Sequence, residues 1–165
     1  MNNISDNWTV DPHLQEVELV YRSTVDHSGK PQLCSPSEVH EYLKSIWNTD
    51  RIEHQEEFYV ILLNNSMNVL GWSRISTGGR SATIVDVSYI VQLAALSNAS
   101  SVIVAHNHPS GLLRPSSADI NLTNRIQKAL NILSINLNDH IIICRQGYYS
   151  FLDHKKMPNK YSDNE

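Results

Sequence analysis

Two histidines and one aspartate in the second half of the chain have the types and the spacing of metal ligands. His106 and His108 are separated by a single residue, and Asp119 follows eleven positions after His108. Neutral imidazole and carboxylate are ligands that zinc takes in hydrolytic sites, where three protein groups leave a fourth coordination position open for water. The three residues therefore predict an open zinc site suited to hydrolysis.

The elements around these residues can bring them together. Segment 101–105 is apolar and β-prone, which predicts a buried strand that ends at His106. Residues two apart in a strand point to the same face, so His106 and His108 project to one side. A Pro-Ser-Gly turn follows, and a new helix opens with Asp119 in its first turn, which returns the carboxylate toward the two imidazoles.

A purely structural interpretation of the same residues stays open. Most isolated histidines are surface or hydrogen-bonded core residues, and Ser116-x-x-Asp119 is also a helix-capping pattern. Pro115 precedes that pattern, and an apolar stripe at helical spacing follows it: Ile120, Thr123, Ile126, Leu130 and Leu133. Asp119 thus has a structural reason to exist without a metal. The conjunction of strand, turn and capped helix is what favours the metal site.

The composition of the chain is that of an ordinary soluble domain. Its 165 residues suffice for one domain with a sizeable core, and 41% are apolar and 18% charged. The net charge of −4 gives no general attraction for nucleic-acid phosphates. The two cysteines lie far apart, which argues against a cysteine-held zinc and suits a reducing cytoplasm. We expect a cytoplasmic protein with no membrane association, because no run approaches about 18 apolar residues and the N-terminus has no secretory pattern.

Periodicity and turn residues divide the chain into interleaved helices and strands. We expect strands at 17–21, 58–63, 69–75, 101–106, 141–144 and 148–151, and helices beginning after Ser35, near Asp86 and at Ser116. Without strict β-α-β alternation, this order predicts an α/β fold with a mixed sheet and helices on both faces. Residues 1–49 are interpreted as an extension packed on the main domain, 50–154 as the main domain, and 155–165 as a polar tail.

The site residues and their neighbours resemble a known family. His106-x-His108-Pro109, six further residues and Ser116-x-x-Asp119 resemble the metal-binding signature of the JAB/MPN (JAMM) metalloprotease superfamily. Stretches 104–111, 115–123, 139–142 and 148–151 are similar to its bacterial RadC-like branch, and the likeness covers roughly residues 50 to 152. The resemblance implies an α-β-α sandwich of the cytidine-deaminase-like type, with zinc held by His106, His108 and Asp119.

The resemblance also implies a glutamate on an early strand that acts as a general base. The family's pattern of glutamate, any residue, phenylalanine and an apolar strand selects Glu56, with Glu53 and Glu57 as the competing acids. Strand alternation alone leaves Glu56 and Glu57 both open, because each lies on an apolar face of the same predicted strand.

Ser116 and His140 each have two open interpretations. In the family pattern the serine at Ser116 stabilises an oxyanion, yet one oxygen cannot easily do this and cap a helix. Either the cap is weak or Ser117 takes it over. Asp139 and His140 also match the RadC-like pattern. We interpret His140 as a buried residue that hydrogen-bonds across the sheet, or as a partner that orients a metal ligand.

Two classes of function follow from these residues. The first is a zinc metallopeptidase-type hydrolase, in which zinc-activated water and Glu56 cleave an amide or isopeptide bond of an unidentified peptide or protein. The second is a DNA-repair or DNA-processing accessory protein, because RadC-like proteins carry that historical label. Residues 1–50 have no basic cluster and no glycine-rich hairpin signature, which argues against nucleic-acid binding. Apolar strand edges would permit a homodimer.

Overall fold

A computed structural model describes residues 29–77 and 85–159 of the chain. The helices and strands of these residues are α1 (Pro36–Ile46), β1 (Glu57–Leu63), β2 (Val69–Thr77), α2 (Val87–Leu96), β3 (Ser101–Asn107), α3 (Ser117–Asn131), β4 (Asn136–Cys144) and β5 (Gly147–Ser150). The strand predicted at 17–21 lies outside the described residues. None of the described helices has the length and apolarity needed to cross a membrane.

The described strands form a mixed sheet in the order β2-β1-β3-β4-β5. β3 and β4 run parallel, and the other neighbouring pairs are antiparallel. β3 therefore lies in the middle of the sheet, and all seven of its residues are buried. As suits a strand buried on both faces, β3 is apolar from residue 102 to residue 105, between Ser101 at its start and the polar His106 and Asn107 at its end.

Helices cover both faces of the sheet, which confirms the predicted α/β sandwich. On one face, α1 packs Val39 and Leu43 into a core cluster with Ile61 of β1. On the other face, α2 contributes Ile90 and α3 contributes Ile126 to a second cluster. The proposed division of the chain at residue 49 stays a prediction.

Capping residues fix where the described helices begin. The capping box predicted from Ser35 is confirmed, because its hydroxyl accepts from the amide of Glu38 and its own amide donates to the Glu38 carboxylate at 2.9 Å. Asp86 caps α2 by accepting from the amides of Ser88 and Tyr89. Each cap satisfies amides that the first helical turn would otherwise leave without partners.

Two details of the predicted elements were wrong. β4 begins at Asn136, five residues before the predicted start, because Asp139 and His140 are polar residues inside a buried strand and interrupt its apolar pattern. The predicted apolar stripe of α3 is also too long. Ile120 and Leu133 are exposed, since α3 ends at Asn131 and its buried stripe includes the polar Gln127.

Candidate metal centre

The first two candidate ligands lie at the end of β3. His106 is almost fully buried, and its ring stacks on Phe58 of β1 with 6.0 Å between ring centroids. His108 follows just after the strand, where its amide donates to the carbonyl of Ile143 at 3.3 Å. The chain then reverses at Gly111, whose amide donates to the carbonyl of His108 and whose φ of +75° favours glycine. Strand alternation and this turn aim both imidazoles at the same point.

The third candidate ligand comes from the first turn of α3. Ser116 is the N-cap of this helix: its hydroxyl accepts from the amide of Asp119 at 3.2 Å, and its own amide donates to Asp119 Oδ2 at 2.7 Å. The Ser116 hydroxyl also donates to Oδ2 at 2.7 Å. Ser116, and not Ser117, therefore caps the helix. This capping box holds the carboxylate so that its other oxygen, Oδ1, faces His106.

The spacing of the three ligand atoms fits a tetrahedral ion. The Nε2 atoms of His106 and His108 lie 3.0 Å apart. Asp119 Oδ1 lies 3.2 Å from His106 Nε2, and Oδ2 lies 3.5 Å from His108 Nε2. Ligands about 2.0–2.1 Å from a tetrahedral zinc are separated by about 3.3 Å. With one nitrogen from each histidine and one oxygen from Asp119, the ligand atoms lie within 4.8 Å of one another, so the three side chains form a group that could hold a metal.

A chain of hydrogen bonds fixes the tautomer of His106. The hydroxyl of Thr123 donates to the carbonyl of Asp119 at 2.6 Å, so its oxygen accepts from His140 Nδ1 at 2.7 Å. His140 Nε2 then carries a lone pair and accepts from His106 Nδ1 at 2.8 Å. Burial lowers the pKa of His140 well below its usual value, which keeps this ring neutral. His106 Nε2 is therefore left as a lone pair that faces the centre.

His108 has the same tautomer for a simpler reason. Its Nδ1 lies 2.7 Å from the carbonyl oxygen of Leu112, which can only accept, so Nδ1 donates. In the neutral ring, His108 Nε2 is then also a lone pair. Two imidazole lone pairs and a carboxylate thus converge on one point. The lone pairs and the carboxylate oxygens repel one another unless a cation or a proton lies between them.

The close approach of these side chains changes the pKa values of His108 and Asp119. The hydrogen bond to Asp119 raises the pKa of His108, against the opposing effect of burial. Burial also raises the pKa of Asp119, but the two neighbouring imidazoles and the Ser116 hydroxyl outweigh it and hold that pKa well below the usual value. Both shifts show that the site favours positive charge between His108 and Asp119.

The structure separates the two competing glutamates. Glu57 points to the α1 side of the sheet, where its buried carboxylate accepts from Arg74 at 2.9 Å and from the Tyr59 hydroxyl at 3.4 Å. Glu56 lines the same cavity as His106 and His108, and its charge helps to raise the pKa of His108. Of the two, Glu56 is therefore the one that lies beside the triad. The third candidate, Glu53, pairs instead with Arg145 at 3.2 Å.

The triad lies on the wall of a cavity of about 1080 Å³. Its lining includes all five predicted site residues, Glu56, His106, His108, Ser116 and Asp119, and combines apolar and cationic side chains such as Phe58, Leu112, Leu122, Arg114 and Arg125. The candidate ligands therefore face a cavity with both apolar and charged side chains in its wall.

Sequence reasoning missed two polar residues that shape the site. Thr123 was assigned to an apolar stripe, although a hydroxyl in that stripe was a signal that it has a hydrogen-bond partner. Asn107 was passed over because it lies between two more conspicuous histidines. His140 had been interpreted in two ways, and its bond to His106 supports the interpretation as a partner that orients a ligand.

The fold and the triad together define an α/β domain of the metal-dependent hydrolase type. The model of the family described as "RadC-like JAB domain" matches residues 33–157, more than half of the chain, so the chain belongs to this family. The resemblance noted in the sequence is confirmed.

Bacterial relatives agree with this assignment. A "UPF0758 protein" of Porphyromonas gingivalis is 50% identical over 100 residues, which are 60% of this chain and 44% of that protein. The "UPF0758 protein YeeS" of Escherichia coli K12 is 34% identical over 146 residues, 88% of each chain. The chain spans less than half the length of the relatives from Porphyromonas gingivalis and Flavobacterium johnsoniae.

Proposed function

We propose that this protein is a zinc-dependent hydrolase that cleaves an amide or isopeptide bond of a peptide or protein. The observation that carries the proposal is the convergence of two imidazole lone pairs and one carboxylate at the 3.0–3.5 Å spacing of a tetrahedral ion. All three side chains line the cavity, so a zinc ion that they held would have a coordination position available for water. A closed structural site would instead use all four positions for protein atoms.

The residues around the centre have complementary tasks. Bound zinc lowers the pKa of a coordinated water to about 7 and polarises a carbonyl oxygen. The Glu56 carboxylate would take up a proton from water at the centre and pass it to the leaving nitrogen. A hydrogen bond from the Ser116 hydroxyl to the developing oxyanion is typically worth about 3 kcal/mol of barrier. For this, the hydroxyl would have to rotate away from Asp119 Oδ2, which would keep its bond to the Ser116 amide.

Amide hydrolysis suits the surroundings of the centre better than phosphodiester hydrolysis. The chain is acidic overall, and the described lining of the cavity has two arginines, Arg114 and Arg125, beside the acids Glu56 and Asp119. Phosphoryl transfer and nucleic-acid binding depend on a stronger cationic environment.

Both cysteines, Cys34 and Cys144, are free thiols, which supports work in a reducing cytoplasm.

Metal analysis and parallel substrate profiling test the proposal. We expect about one zinc per chain in freshly purified protein or after titration, and we expect His108→Ala to lose most of it. Peptide and isopeptide libraries are then incubated with wild type and Glu56→Gln, with single- and double-stranded DNA as a further arm. Cleavage of a peptide by the wild type alone supports the proposal. Absence of zinc uptake, or cleavage of DNA in place of peptides, refutes it.

A further inference from the structure

Asn107, the residue between the two histidines, makes three hydrogen bonds on the opposite face of β3. Its carboxamide nitrogen donates to the carbonyls of Ile52 at 2.7 Å and Gln55 at 2.8 Å. Its carboxamide oxygen accepts from the amide of Glu57 at 2.7 Å. The residue is fully buried, so these bonds are made away from water. The three contacts thus fasten the segment that leads into β1.

That segment lies just before the strand pairings of the sheet. The pairing of β1 with β3 begins only at Phe58, opposite His106, and the pairing of β1 with β2 begins at Glu57. Glu56 comes one residue before the pairing of β1 with β2 and two residues before its pairing with β3. Asn107 binds the carbonyl of the residue just before Glu56 and the amide of the residue just after it. It therefore fixes the backbone on both sides of the glutamate.

Register explains why this position suits the task. Continuing the antiparallel register from Phe58 opposite His106 by two residues places Glu56 opposite His108. The alternation of β3 sends the histidines to the metal face, and it sends Asn107 to the other face, where the backbone around Glu56 passes. One strand end thus positions both the metal ligands and the acid that works beside them.

We propose that Asn107 is a positioning residue that sets the distance between Glu56 and the metal centre, an inference that rests on the proposed hydrolase function. The amide is the chemistry that this location requires, because it must donate twice and accept once. An aspartate could accept from Glu57 but would turn a carboxylate toward two carbonyl oxygens. An alanine would leave the segment without its three bonds. Displacements of about 1 Å in a catalytic group can lower turnover about 100-fold.

The test separates positioning from metal binding and from general stability. Asn107→Ala is compared with wild type, with Glu56→Gln, and with Val39→Ala, which opens a cavity in the core beside α1 on the opposite side of the sheet from the metal. Each protein is loaded with Co²⁺, whose visible spectrum follows ionisation of the metal-bound water. Metal affinity is measured by competition, and kcat and KM are measured on a peptide that the wild type cleaves.

We expect Asn107→Ala to bind metal within about threefold of wild type, because none of its bonds reaches a metal ligand. The pH midpoint of its Co²⁺ spectral change should shift in the same direction as that of Glu56→Gln. A double variant that combines Asn107→Ala with Glu56→Gln should show no further shift beyond Glu56→Gln alone. Its kcat should fall about 10- to 100-fold with little change in KM. Val39→Ala should leave the midpoint unchanged.

Three results would overturn the inference. Asn107→Ala could keep the pH midpoint and the kcat of the wild type, or its midpoint shift could add fully to that of Glu56→Gln in the double variant. The third result is a midpoint shift in Val39→Ala as large as that in Asn107→Ala. If Asn107→Ala does not fold, Asn107→Asp is subject to the same comparison, because it keeps the acceptor and loses both donors. A wild type that binds no metal or cleaves no peptide refutes the hydrolase proposal itself. If the wild type binds metal and cleaves peptide, and Asn107→Ala has the same midpoint and kcat as the wild type, only the role of Asn107 is refuted.

Discussion

Replacing His140 by leucine should weaken zinc binding although it removes no ligand. His140 accepts the Nδ1 proton of His106 at 2.8 Å and so leaves His106 Nε2 free to bind a metal. Without this acceptor, the metal-free His106 can carry its proton on Nε2 and donate to Asp119 Oδ1, 3.2 Å away. Zinc must then drive the proton back to Nδ1, which would point at a buried apolar side chain.

The size of the effect follows from the cost of that buried donor. An unsatisfied buried N–H costs about 1–3 kcal/mol. Because about 1.4 kcal/mol corresponds to a tenfold change in a binding constant, zinc should bind about 5- to 140-fold more weakly to His140→Leu. This range agrees with the roughly 10- to 100-fold losses typical when a partner of a metal-binding histidine is removed.

Competition with a chromophoric chelator at pH 7 measures the zinc affinity of each variant, and circular dichroism confirms that it is folded. Thr123→Val provides a gentler second perturbation, since it removes the hydroxyl that accepts from His140 Nδ1 at 2.7 Å while keeping the shape of the side chain. Thr123→Ser keeps the hydroxyl and should stay within about threefold of wild type. Folded His140→Leu and Thr123→Val proteins that bind zinc as tightly as wild type would refute the tautomer argument.

Three further predictions concern stability and pH. Burial raises the pKa of Asp139 to about 6, so its contribution to stability is present below about pH 4 and is lost as the pH rises through about 6. Asp139→Asn should remove about 2 kcal/mol of this pH dependence in urea unfolding between pH 4.5 and 8, and an unchanged profile would contradict it. Ser116→Ala and Ser35→Ala should each cost about 1 kcal/mol in urea unfolding, but only Ser116→Ala should also change zinc affinity, because its partner is a ligand. The raised pKa of His108 means that zinc displaces a proton, so log Kd should rise by about one per pH unit below that pKa. A competition titration from pH 5 to 8 that shows no slope would contradict this expectation.

The metal triad could be predicted from sequence because its geometry depends on local rules. His106 and His108 share a face through strand alternation, and the capping box places Asp119 in a first helical turn. Ser116 and Asp119 would have been a correct capping prediction even without a metal. The short turn after His108 allowed the end of β3 and the start of α3 to be predicted as neighbours. Gly111 permits this turn because it adopts a positive φ.

The glutamate could not be assigned from alternation because β1 is buried on both faces. All seven of its residues are buried, so the face of Glu56 and the face of Glu57 look alike in sequence. The difference appears only in contacts between distant segments: Phe58 pairs with His106 on the metal face, and Arg74 of β2 reaches Glu57 on the other. Such pairings join residues 17 to 48 positions apart, which no local pattern contains.

The same hydrogen bonds that build the fold also prepare the centre for a metal. Asp119 uses Oδ2 in the cap of α3 and presents Oδ1 to His106. Thr123, one turn further along the same face of α3, holds His140, which in turn sets the tautomer of His106. Two successive turns of one helix therefore act on the centre, one directly and one through a neighbouring strand. Both contacts use hydrogen bonds that also belong to the fold, so a substitution in either turn should affect stability and metal binding together.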